Sequence, residues 1–188
     1  MPRYNPFRPG SIVTPGMFSG RVEEIVALER VLFQTKNGNP DHFLIHGERG
    51  IGKSSLLFYM QCIAGGEIES LHCGTFNFLV VHVELSTSNS YTEIIRKIGA
   101  ELQRVVTAQH RAKEIFKTAW DFITRWEVTV GGVGVKYTKD KDATSPQDLL
   151  DELTYTLERT LSDMGNEKEG ILILIDEADK PSHSANLG

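Results

Sequence analysis

The sequence predicts an α/β fold in which a mostly parallel sheet is covered by helices on both faces. Three observations predict it. Strand-like apolar runs alternate with segments of helical periodicity. A glycine-rich turn, Gly47-Glu48-Arg49-Gly50-Ile51-Gly52, joins an apolar run to a helical one. A further run, Ile171 to Ile175, is apolar throughout and ends in two adjacent acids, Asp176 and Glu177. Runs that are apolar at every position, rather than alternating, are what strands buried on both faces require.

A chain of 188 residues has room for one domain with a sizeable core and too little for two comfortable ones. The net charge is −5. A domain that blankets nucleic acid is usually basic, so nucleic acid as a partner is possible but has no support from the bulk charge. Cys62 and Cys73 form no CxxC motif, and two cysteines make no disulfide framework. No apolar run reaches the roughly 18 residues of a membrane span, so no membrane partner is expected and the default location is cytoplasmic. Residues 1–16 carry four prolines and no hydrophobic core, which reads as an extended arm rather than a signal or an anchor.

Along the chain, a helix is expected from about Arg21, with Val22, Ile25, Val26, Leu28 and Leu32 on one face. Lys36-Asn37-Gly38-Asn39-Pro40 ends it, and His42-Phe43-Leu44-Ile45-His46 follows as a short buried strand. The glycine-rich loop leads into a helix over Lys53 to Ala64, closed by Gly65-Gly66. Phe78 to Leu85 is the next buried strand, dominated by β-branched residues. Ser90 and Glu93 form a capping box before the stripe Ile94, Ile95, Ile98, Leu102, Val105 and Val106. One more helix is expected from about His110 to Arg125. A hairpin follows, with arms at Glu127–Val130 and Val133–Tyr137 around Gly131-Gly132. Ser145, Pro146 and Asp148 start a last helix whose face is Leu149, Leu150, Leu153, Leu157 and Leu161.

Gly47, Gly52, Lys53 and Ser54 fit the pattern G-x-x-x-x-G-K-[ST], with Gly50 as an additional glycine. Glycines let the backbone curl until successive N–H groups converge on phosphate oxygens, which side chains would block. The helix that starts there adds unsatisfied N–H groups and the positive end of its dipole. By this reading Gly47, Gly50, Ile51, Gly52, Lys53, Ser54 and Ser55 line a nucleoside triphosphate site, with ATP as the default. Lys53 reaches the β- and γ-phosphates, the Ser54 hydroxyl ligates Mg²⁺, and Ser55 helps through its backbone. The run Ile171 to Glu177 is the matching Walker B pattern. Asp176 is expected in the Mg²⁺ shell, and Glu177 is expected to orient and polarise the attacking water. That second acid favours hydrolysis over transfer to another nucleophile, making Glu177 and Lys53 the candidate catalytic residues.

Phe18-Ser19-Gly20-Arg21-Val22-Glu23-Glu24 resembles the F-x-G-R-x-x-E box that precedes the phosphate loop in AAA+ initiator-like ATPases and the related STAND ATPases. The resemblance covers roughly residues 17–64 and 170–177. It implies a three-layer P-loop NTPase fold and a core over 17–188. It also implies that Gly20 and Arg21 line the adenine end of the site. Such cores have a five-stranded sheet in the order 5-1-4-3-2, the acids lying on the third strand. Glu177 is followed by eleven residues. The resemblance therefore implies an incomplete sheet, in an N-terminal part of a longer protein that alone hydrolyses ATP poorly. Another chain, or a rearranged sheet, is the alternative source of the strand.

The helices and hairpin over about 91–140 form an insertion between the two motifs. Phe116, Trp120, Phe122 and Trp126 within it are expected to pack between helix and hairpin rather than to stack bases. Lys136, Lys139 and Lys141 alternate with Asp140 and Asp142, which reads as a solvated end. The six histidines show no metal-ligand spacing, and His46 reads as a packed strand end. The functional expectation is a Mg²⁺-dependent ATPase whose hydrolysis drives a conformational or assembly switch, with ATP/ADP and a protein partner or self-assembly. Two alternatives stand beside it. One is a nucleotide-regulated interaction module with little turnover, the other a DNA-dependent ATPase of the replication or transposition kind.

Overall fold

The structure, a computed structural model, describes residues 20–127, 136–137 and 145–181. The expected arm over 1–16, the Gly131-Gly132 turn, the Lys139 to Asp142 charges and the residues after Pro181 lie outside that set. The chain divides into two compact units, Met1–Phe76 and Asn77–Gly188.

In the first unit, helix α1 (Val22–Lys36) places Glu23 and Glu24 in its first turn and Lys36 in its last, each sign at the favourable dipole end. Of the expected apolar stripe, Ile25, Leu28 and Leu32 are buried and Val26 is half-buried, whereas Val22 in the first turn is 58% exposed. Glu29 is buried with them, and its Oε1 accepts from the Leu71 N–H at 2.8 Å. Helix α2 (Lys53–Gly65) buries Leu56, Leu57, Met60, Cys62 and Ile63. It stops at Gly66, with φ at 82°, where a Cβ would meet the Phe76 carbonyl oxygen at 2.5 Å. Only glycine fits that turn.

The expected strand over His42–His46 is not formed. Residues 41–48 carry no strand, and Leu44 is 81% exposed. A strand exists only through ladder hydrogen bonds, and among the described residues no strand pairs with this run.

The second unit holds a two-stranded parallel sheet. Strand β1 (Leu79–Glu84) pairs with Ile171–Asp176 in register from Leu79↔Ile171 to Glu84↔Asp176. Asn77 sets the start of this register. Its N–H donates to Glu169 Oε2 at 3.0 Å, its amide donates to the Glu167 carbonyl at 2.9 Å, and its side-chain oxygen accepts from Lys168 at 2.7 Å. Leu79, Val81 and Val83 are buried, whereas Val80 and His82 are half-buried and Glu84 is exposed. Of the expected fully buried strand Ile171–Ile175, only Leu174 is buried and Ile175 is 38% exposed. The core cluster of this unit takes Leu79, Val81 and Val83 of β1 with the half-buried Ile171 and Ile173 on one face of the sheet, while Leu174, which alternates to the other face, is buried as well.

Helix α3 (Tyr91–Thr107) covers the face of Leu79, Val81 and Val83 with Leu102 and Val106. Its capping box is formed as predicted by Ser90 and Glu93. The Ser90 N–H, donating to the Glu93 carboxylate at 2.6 Å, holds that carboxyl below its usual range. The single helix expected over His110–Arg125 is instead two short ones, α4 (Ala112–Ile115) and α5 (Trp120–Ile123). Asp163 explains the break. Its carboxylate accepts from the N–H groups of Thr118 and Ala119 at 2.6 and 2.8 Å, and from the Thr118 hydroxyl at 2.7 Å. Those donors are thereby drawn out of a continuous helical ladder.

Trp126–Glu127 (β2) and Lys136–Tyr137 (β3) pair antiparallel, as the flanks of a hairpin do. Trp126 is fully buried and donates to the Thr156 hydroxyl at 3.3 Å. Phe116 is buried too, and Trp120 packs half-buried against the same core, while Phe122 is half-buried with its ring edge-on to Tyr155. Helix α6 (Pro146–Met164) carries the predicted Ser145–Asp148 box and leads to β4 (Ile171–Asp176).

Candidate functional site

The glycine-rich loop sits between residues 46 and 53 in the first unit, and its shape comes from three glycines at positive φ. Gly47 has φ at 151°, Gly50 at 83° and Gly52 at 95°. At Gly47 a Cβ would stand 3.3 Å from Ile51 Cγ2, whereas Gly50 and Gly52 have open space around them. The Ile51 N–H closes a turn onto the Glu48 carbonyl at 3.4 Å. Gly52 is the N-cap of α2 and provides no side-chain cap, and no acidic residue stands in the first turn. Among the described residues the N–H groups of Gly52, Lys53 and Ser54 have no acceptor. The helix therefore presents open donors, with its positive dipole end, where the loop curls.

Lys53 folds over this loop. Its ammonium donates to the Gly47 carbonyl at 2.9 Å and to the Glu48 carbonyl at 3.1 Å. Ser54 is half-buried, and Ser55 is buried against the unit's core. Gly20 and Arg21 both adopt left-handed backbone, with φ at 83° and 53°. The Arg21 guanidinium donates through Nη2 to the Ile51 carbonyl oxygen, which ties the start of α1 to the loop. The box at Phe18–Glu24 points to Arg21 but not to its acceptor, since a bond across thirty positions leaves no local pattern.

The acidic pair closes β4 in the second unit. The Asp176 carbonyl accepts from the Leu85 N–H at 3.0 Å, which pins the strand end in the sheet. Asp176 Oδ1 accepts from the Glu177 N–H at 2.8 Å. Glu177 has φ at 57°, a conformation that costs a non-glycine residue about 1–2 kcal/mol. Such strain persists where the surroundings over-determine it, often at functional positions. The Glu177 carboxylate stands 3.4 Å from the Lys180 ammonium. Glu177 and Lys180 stand at i,i+3 in a turn closed by the Lys180 N–H on the Glu177 carbonyl at 3.0 Å.

The donor set of the loop fits a polyphosphate: open N–H groups, a helix N-terminus, a lysine and positions where side chains are excluded. A family model described as the AAA ATPase domain matches residues 17–187. The chain belongs to this family. AAA ATPase domains are nucleotide-binding P-loop α/β proteins that bind ATP and ADP, and this chain shares that general character. No curated protein and no solved structure matches the chain significantly. In the sheet order expected of an AAA ATPase domain the second and third strands are neighbours, and β1 and β4 are parallel neighbours here. The first strand in that order lies between the fourth and fifth. The run 42–46, which stands in the place of a first strand, has no ladder partner among the described residues.

Proposed function

We propose that this AAA ATPase domain binds ATP on the loop Gly47–Ser54 and hydrolyses it, in the manner of the AAA+ and STAND ATPases. Hydrolysis on this reading drives a conformational or assembly switch, with the core over 17–188 and an insertion at about 91–140. One observation carries the proposal: the loop's three positive-φ glycines lead into a helix with no side-chain cap, where the N–H groups of Gly52, Lys53 and Ser54 have no acceptor among the described residues and the Lys53 ammonium folds over the loop.

The chemistry assigned to the chain's own groups follows from their types. The N–H groups of the loop and of the first turn of α2 donate to phosphate oxygens. Lys53 neutralises charge on the terminal phosphates, where negative charge is spread during phosphoryl transfer. Glu177 polarises the attacking water and takes its proton. Ser54 and Asp176, on their motif positions, are the residues that would hold Mg²⁺, which supplies charge neutralisation of the phosphates. Gly20 and Arg21 are assigned to the nucleotide site by the box they share with these families.

Turnover of ATP by the wild type and by Glu177→Gln tests the hydrolytic part. Removal of a general base is expected to lower turnover about 10²–10⁴-fold while ATP still binds. Equal turnover in the two proteins would remove Glu177 from the mechanism.

A further inference from the structure

We propose that Arg21 is a positioning residue for the phosphate loop, holding the Ile51 carbonyl and so fixing the direction of the Gly52 N–H. The inference rests on the nucleotide-binding reading above and assigns within it a role that the motif does not. Ile51 stands between Gly50 and Gly52, at φ of 83° and 95°, and a Cβ at either glycine would meet nothing within 4 Å. A peptide flanked by two glycines in open space is the easiest in the loop to rotate. In a trans peptide the carbonyl and the following N–H point in opposite directions. A bond from Arg21 Nη2 to the Ile51 oxygen therefore selects one orientation of that plane and sets the Gly52 N–H on its far side. That N–H has no acceptor among the described residues, and it is the first open donor ahead of α2.

The mount of the guanidinium is itself fixed. The Arg21 carbonyl accepts from the Ile25 N–H at 3.0 Å, so the residue is locked into the first turn of α1. Its left-handed backbone is unfavourable for a side-chain-bearing residue, and glycine would adopt it freely. Glycine, however, offers no donor to Ile51. Lys53 holds the carbonyls of Gly47 and Glu48 at the opposite end of the loop. Arg21 and Lys53 thus tether separate peptide planes of one cradle.

A strut and a base-reading residue are separated by a ligand that lacks the base. Binding of ATP and of inorganic tripolyphosphate is measured by calorimetry for the wild type, Arg21→Ala and Arg21→Lys, with circular dichroism as the check on folding. Loss of a charge-assisted hydrogen bond predicts a weakening of roughly tenfold in Arg21→Ala, equal for ATP and tripolyphosphate. Arg21→Lys recovers part of it, because a single donor reaches a single carbonyl. ATP weakened with tripolyphosphate unchanged would overturn the inference in favour of a contact to the nucleoside. Both ligands bound as in the wild type would overturn the inference alone. A wild type that binds neither ligand would overturn the nucleotide-binding reading and this inference with it.

Discussion

The three glycines of the phosphate loop are required for different reasons. Gly47 is required by its φ of 151°, and its space is tight as well, since a methyl group there would press Ile51 Cγ2 at 3.3 Å. Gly50 and Gly52 stand in open space and are required for φ alone. The motif was legible because its residues are contiguous. The Arg21–Ile51 bond was not, because its two ends meet only after α1 and the loop have folded. Cys62 offers a residue-scale test of the core behind the loop. It is 3% exposed, and burial, helped by the neighbouring Glu67 carboxylate, pushes its thiol from the usual 9.0 to about 11. A thiol reagent at pH 8 is expected to label the half-buried Cys73 quickly and Cys62 only on unfolding. The raised value also fixes a sign. Between pH 9.0 and about 11 the unfolded thiol ionises while the folded one stays protonated, so Cys62 lowers stability as pH rises through that window. Equal labelling rates for the two thiols would contradict the packing of α2.

Among the elements, the helices with local start signals were readable and those shaped by distant groups were not. Ser90–Glu93 and Ser145–Asp148 announce α3 and α6 within four residues, and both boxes are formed. The break between α4 and α5 is imposed by Asp163 from α6, more than forty residues downstream, which no window over 110–125 contains. The run 42–46 has the composition of a strand and lacks a partner among the described strands, so composition alone misled. Gly99 tests the packing of α3 against β2. A Cβ there would lie 2.2 Å from Trp126 Cδ2 and 2.3 Å from Cε3. In an open helix Gly→Ala stabilises by up to about 1 kcal/mol. Here over-packing against a fully buried indole dominates, and Gly99→Ala is expected to destabilise by about 3 kcal/mol or more in urea unfolding. A stabilised variant would show that the indole does not lie on the α3 backbone.

At the scale of the molecule, the two sets of chemistry belong to separate compact units, the phosphate loop to Met1–Phe76 and the acidic strand end to Asn77–Gly188. The α/β class and the parallel pairing of the strand that carries the acids with the strand before it were both legible in the sequence. The degree of burial was not, because it depends on which faces the helices cover and not on strand composition. Among the described residues no helix is long and apolar enough to cross a membrane. The central claim is that the loop Gly47–Ser54 binds a nucleoside triphosphate through its backbone and Lys53. Calorimetric titration of ATP with Mg²⁺ into the wild type and Lys53→Ala tests it most directly. The account predicts saturable one-site binding by the wild type and a loss of roughly tenfold to a hundredfold in the variant, the range for a hydrogen bond to a charged group. Wild-type protein that does not bind, or a variant that binds equally well, would contradict it.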